Sequence, residues 1–306
     1  RSTLFPYTTL FRSGRRFKMK RKSEAESLKS IAWRRFRRNK LAMFGMLVIV
    51  ILIIFSLLAP FISHYDPNEI DLYKIESSPE GTHWLGTDEL GRDMFSRLLY
   101  GGRVSLAVGI FASLAEIAIG VSLGSVAGFY GGAVDSIIMR ITDIIMCFPF
   151  FVVAIALAAM VGPSMTNLIF IIAILEWTKI ARIVRAEILS LKNRDYIKAA
   201  RSLGLGNIRI IIKHVLPNTF ASIMVFSTLA IANGILTEAA LSFLGLGVRP
   251  PQPSWGNMLA AAQSMRVLQY EWWMWIPPGM MVFITVISIN FLGDGLRDAL
   301  DPKLKV

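Results

Sequence analysis

Between Leu41 and Ile62 the chain carries no charged side chain. At ~1.5 Å of rise per residue, a helix of that length crosses a ~30 Å hydrocarbon core. In that solvent each backbone donor must find its acceptor within the segment, so a lone apolar run of this kind has to be helical. Directly before it stands Arg34-Arg35-Phe36-Arg37-Arg38-Asn39-Lys40, and residues 15–40 hold twelve Lys/Arg against two Glu. Basic flanks remain on the cytoplasmic side. The pattern predicts a basic cytoplasmic N-terminus over 14–40 and a first span over 41–62. The run is too long for a cleaved leader and lacks a small-x-small site before His64. Residues 1–13 are read separately. Arg1 to Ser13 back-translates without mismatch to a common sequencing adapter, the first methionine is Met19, and we treat the stretch as an assembly artefact.

The rest of the chain repeats this membrane pattern. With 54% hydrophobic and 18% charged residues, it is too apolar for an ordinary soluble domain. Further spans are expected over 105–130, 137–161, 167–188, 221–246 and 277–296, giving an all-α polytopic membrane protein of six transmembrane helices. Its five-helix core covers 105–302, and Lys303 and Lys305 close the chain on the inside. The net charge of +12 does not point to nucleic acid, because the basic residues lie between apolar spans and are not interleaved with aromatics. The segment 63–104 is placed outside, since residues 63–102 hold eight Asp/Glu and three Lys/Arg. Leu90, Met94 and Leu98 form a stripe that predicts a short interfacial helix over 88–100. In the second span Gly120, Gly124 and Gly128 recur every four residues, a surface on which another helix can pack closely. Pro149 is expected to kink the third span, and Gly162-Pro163-Ser164 to turn outside. Residues 248–275, rich in Pro and Trp, suit an external aromatic belt.

The most informative stretch is a basic insert between the fourth and fifth spans, over 190–217. From Lys179 to Lys213 there are nine Lys/Arg against two acids, which places it inside. Ile197, Ala200 and Leu203 repeat at helical spacing, with Asp195 in the first turn. Gly204 or Gly206 can end that helix. Asn207 can cap a second one over 208–215, expected to stop before Pro217.

Lys198-Ala199-Ala200, then Gly204, then His214-Val215-Leu216-Pro217 resembles the EAA motif of ABC-importer permeases, with Lys198 where the family has its first Glu. Trp84-Leu-Gly-Thr-Asp88, Leu241-Ser-Phe-Leu-Gly-Leu-Gly247, Pro250-Pro-Gln-Pro-Ser-Trp-Gly256 and Gly293-Asp-Gly-Leu-Arg-Asp-Ala-Leu-Asp-Pro302 are similar to the dipeptide/oligopeptide/nickel permeases. This likeness covers essentially residues 30–302. It implies a type I importer permease in a bacterial or archaeal cytoplasmic membrane, with both termini inside. It implies a second permease subunit (a heterodimer), two ATP-binding subunits that bind the ATP, and an external substrate-binding protein. This chain would bind no cofactor itself. The coupling surface would comprise Lys198, Ala199, Ala200, Gly204, Leu205, His214, Leu216 and Pro217, and the substrate would be a peptide or nickel-type solute.

No catalytic motif competes. There is no G-x-x-x-x-G-K-[ST] loop, no Gly-Lys pair and no H-E-x-x-H, and His64, His83 and His214 are far apart. Asp88, Glu89 and Asp93 lack metal-ligand spacing and are expected to be solvated. Cys147, the single cysteine, is expected to be a small buried side chain. Glu238-Ala-Ala240 mimics the docking motif without its spacing. The alternative is a proton-coupled secondary transporter using the intramembrane carboxylates Glu116, Glu176 and Glu238.

Overall fold

The computed structural model of the chain describes residues 28–300, with side chains from 33 onward, and their regular elements are all helices. Residues 1–13 and the closing lysines lie outside the described residues. Asn39 separates α1 (Leu28–Arg38) from α2 (Lys40–Leu57), and its side chain caps α2 by accepting the Ala42 N–H at 3.1 Å. The single turn α3 (Ala59–Ile62) ends the first apolar run. α4 (Met94–Tyr130) then runs for 37 residues, ~55 Å. It begins at Asp93, whose carboxylate accepts the Ser96 N–H at 2.7 Å. The expected interfacial helix over 88–100 and separate span from 105 are therefore one element. Met94, Leu98 and Leu106 are buried in the same cluster, so the helix has no reason to break between them.

α5 (Gly132–Met146) and α6 (Phe150–Val161) meet at 85°. The kink expected at Pro149 within 137–161 is thus a full break between two helices, the first of which begins earlier, at Gly132. Pro149 lacks an N–H and disfavours helical backbone at the residue before it. Cys147, at the break, is exposed rather than buried. α7 (Met165–Leu191) and α8 (Asp195–Ser202) follow. α9 (Asn207–Ile210), a π turn at Ile211–Val215 and α10 (Leu216–Phe243) then form one continuous 37-residue helix. The expected stop before Pro217 does not occur. A proline ring crowds the carbonyl four residues back, and the wider π turn preceding Pro217 makes room for it. α11 (Trp255–Leu259), α12 (Met265–Tyr270) and α13 (Trp272–Leu300) complete the order. α13 starts upstream of Pro277, the expected beginning, because Trp273 and Met274 are buried in the core.

Four of these helices, α2, α4, the α9–α10 rod and α13, are long and apolar enough to span a membrane, and the α5–α6 pair would make a fifth. α7 is long enough but carries Glu176, Lys179, Arg182, Arg185 and Glu187. α4 is the spine. Three apolar clusters follow it from one end to the other: Met94, Leu98 and Leu106 with α10, α11 and α13; Val104, Val108 and Ala112 with α6 and α7; and Phe129 with α7 and the α8–α10 loop. The Trp-rich segment is also partly core, since Trp255 and Trp273 are buried, and only Trp272 is half exposed in the manner of a belt residue.

Candidate functional site

The loop joining α7 to α10 is a folded unit. Its first helix, α8, ends at Leu203, and Gly204 follows at φ +76°, a conformation glycine adopts without strain. The Gly204 N–H donates to Arg201 O at 2.9 Å and the Leu205 N–H to Ala200 O at 3.2 Å. This pair of reversed bonds is the Schellman ending, and Leu205 and Ala200 supply its usual apolar contact. The next helix begins after Gly206, with Asn207 as its first residue and not its cap. Ile197, Ala200, Ile210, Ile211 and Val215 then pack on Phe129 of α4 and on Ile180, Val184 and Ile188 of α7. The Arg201 guanidinium lies over the Phe129 ring at 4.9 Å.

That packing divides the proposed docking residues. Ala200, 5% exposed, belongs to the packed interior and not to a free surface. Lys198, Ala199, Gly204 and Pro217 are exposed, whereas Leu205, His214 and Leu216 are half-buried. Lys198 pairs loosely with Asp195 at 3.7 Å. The outward apolar side chains are ones the motif does not contain: Leu203 at 81%, Ile208 at 68%, Ile212 at 59% and Tyr196 at 42%. Helical spacing alone had assigned Leu203 to the same stripe as Ile197 and Ala200. The αL turn directly after it is the signal that it leaves that stripe.

The glycine face lies against α7. A Cβ on Gly120 would sit 2.8 Å from Ile180 Cβ, one on Gly124 2.5 Å from Ala181 O, and one on Gly128 2.9 Å from Arg185 O. α5 is held to α7 by Arg182–Asp143 at 2.7 Å and by the Arg185–Asp135 pair. Of the intramembrane carboxylates, Glu116 is buried and faces the Glu176–Lys179 pair, which is 2.5 Å long. Glu238 accepts hydroxyls from Ser105 and Ser242. Of the three acids expected to be solvated, Glu89 is exposed, whereas Asp88 and Asp93 are buried. Asp88 pairs with Arg92 at 2.7 Å and Arg97 at 3.3 Å, and Asp93 with His83 at 2.9 Å. Among the described residues no cluster of His, Cys, Asp or Glu could hold a metal.

A helical spine set among apolar helices, carrying at one end a packed loop with exposed leucine and isoleucines, is the architecture of a polytopic membrane protein. The chain belongs to the family of binding-protein-dependent transport system inner membrane components, whose family model matches residues 120–306. Residues 27–79 match the N-terminal membrane domain of oligopeptide transport permease C. The chain is 46% identical over 274 residues to a glutathione transport system permease protein of Pectobacterium atrosepticum, covering 89% of this chain and 90% of the relative. It is 42% identical to a dipeptide permease of Bacillus subtilis, covering 90% and 85%, and 43% identical to an oligopeptide permease of the same organism, covering 91% of each. It is thus an ABC-type permease subunit, a family that works with ATPase and substrate-binding components. The proton-coupled alternative finds no support among these relatives.

Proposed function

We propose that this chain is one of two permease subunits forming a pathway for small peptides, moved by ATPase subunits that dock on the α8–α9 surface. The observation that carries the reading is the exposure of three apolar side chains, Leu203, Ile208 and Ile212, on a loop otherwise set with Arg and Lys. Each such side chain gains ~1.5–3 kcal/mol when a partner groove removes it from water. The relatives' glutathione, dipeptide and oligopeptide names favour a peptide substrate over a nickel-type one. Six spans, with α7 as the fourth, put both termini and the loop in the cytoplasm and the 63–93 segment outside, where a binding protein delivers its load. α7 crosses despite its charges because its buried face packs on α4 and its acids and bases are largely paired. ATP binding on the partners shifts the docked loop, and α10 carries that shift through the membrane.

The test is Leu203→Asp and Ile208→Asp in tagged permease. Both should insert and pair normally, lose the ATPase subunits on purification, and abolish uptake of a labelled dipeptide. Full ATPase recovery with normal uptake would reject the loop as the docking element.

A further inference from the structure

The coupling reading makes no use of Glu238, a completely buried carboxylate. Its Oε2 accepts the Ser105 hydroxyl of α4 and its Oε1 the Ser242 hydroxyl one turn on in α10, each at 2.7 Å. Ser105 Oγ in turn accepts the Trp255 N–H at 3.1 Å, and Trp255 Nε1 donates to Leu98 O at 3.0 Å. The first turn of α11 is therefore wedged between α4 and α10. Glycines admit it from both sides. A Cβ on Gly101 would lie 3.4 Å from Ser254 Cα, and one on Gly256 would lie 2.6 Å from Ala239 Cα. One turn along both helices the backbones touch again, with Gly234 set against Gly109.

Such a carboxylate tolerates its dry site only while its hydroxyl partners stay in place, which makes the joint specific in geometry. It also lies on the same unbroken helix as the docking loop. From Ile210, packed in the loop cluster, to Glu238 the rod measures ~42 Å at the standard rise. A hydrogen-bonded helix does not shorten appreciably, so an axial shift at one end arrives at the other. At the loop end the rod passes through the π turn without a break; at the Glu238 end its hydrogen bonds lead through Ser105 of α4 to the α11 wedge.

We propose that Glu238 is a positioning residue that ties the α11 wedge to the far end of α10, so that movement of the docking loop is delivered to the 248–263 segment at the external mouth. This rests on the docking reading of the loop. It reassigns Glu238 from a candidate proton carrier to a mechanical joint.

The experiment uses the assembled transporter with Cys147→Ala and a reporter, Gln252→Cys, on an exposed residue beside the wedge. Labelling by an impermeant thiol reagent is timed in the nucleotide-free and vanadate-trapped states. The parent should show different rates in the two states. Glu238→Gln, which leaves one good acceptor where two hydroxyls donate, should bring the ratio of rates to unity and lower uptake, with ATPase subunits still bound and basal ATP hydrolysis retained. A purely structural residue would lower yield and leave that ratio in the surviving complexes. Should Glu238→Gln fail to reach the membrane, Ser105→Ala, which cuts the link to Trp255 with a smaller change, must produce the same loss. A parental ratio retained in Glu238→Gln or Ser105→Ala, or no nucleotide dependence in a parent that has its ATPases bound, overturns the proposal. Recovery of ATPase with Leu203→Asp would instead strike the docking reading, and this inference with it.

Discussion

Gly124→Ala puts a single methyl group into the α4–α7 seam. The new Cβ would lie 2.5 Å from Ala181 O and 3.0 Å from Ala181 Cα. Both are backbone atoms, so no rotamer change relieves the clash. An ordinary C···O contact is ~3.3 Å, so the helices must separate locally by ~0.8 Å. A gap of that size forfeits roughly a quarter to a half of each dispersion contact across it. The neighbouring contacts of Gly120 with Ile180 and of Gly128 with Ile188 open together. In lipid, packing is the main force holding two helices together, and overpacking a core typically costs ~1–3 kcal/mol. We expect the upper part of that range. The control is Gly206→Ala, where nothing lies within 4 Å of the added carbon and φ is −65°. Removing a flexible glycine stabilises by ~0.4–1 kcal/mol, but alanine is a poorer N-cap than glycine by a similar amount, so the net effect should be near neutral. The assay is thermal loss of the monodisperse peak of each detergent-purified permease. Equal melting of Gly124→Ala and Gly206→Ala would refute the packing argument.

Three further outcomes are expected. Ala200→Asp should reduce the amount of folded subunit in the membrane, because it buries an unpaired charge at a cost of several kcal/mol, whereas Leu203→Asp should leave that amount unchanged; similar yields would contradict the division of the loop into packed and free faces. Glu271, between α12 and α13, is held above the ordinary carboxylate range by burial first and by Glu76 second, with Arg266 opposing. Just above the usual glutamate value the folded chain then binds more protons than the unfolded one, so its stability falls as pH rises through that window; Glu271→Gln should flatten the fall in melting temperature, and an unchanged slope would dispose of the idea. In a Cys147→Ala background, Tyr73→Cys should react with an impermeant thiol reagent on intact spheroplasts and Ser202→Cys should not, the reverse result inverting the topology.

The membrane class, the helical fold and the position of the loop between α7 and α10 were legible along the chain because each depends on local composition. An uncharged 22-residue run has only one way to satisfy its backbone in lipid, and charge density between runs decides which loops stay inside. The glycine period likewise announced a close helix contact before its partner was known. Exposure is a different matter, since it depends on what arrives from elsewhere in the chain. Ala200 and Leu203 share one helical stripe, yet Phe129 and Ile188 cover the first while the turn at Gly204 carries the second away from them. Asp88 and Asp93 read as solvated acids; Arg92 was within local reach of Asp88, but Arg97 and His83, which also pair with these acids, stand at distances that no local pattern relates. Pro217 looked like a helix stop, and only the packing of Ile210, Ile211 and Val215 against α7 holds the widened turn that lets the helix continue. Glu238 had no sequence mark of its role, since the hydroxyl and the wedge that define it come from residues 105 and 255, brought together only when α4, α10 and α11 close on one another.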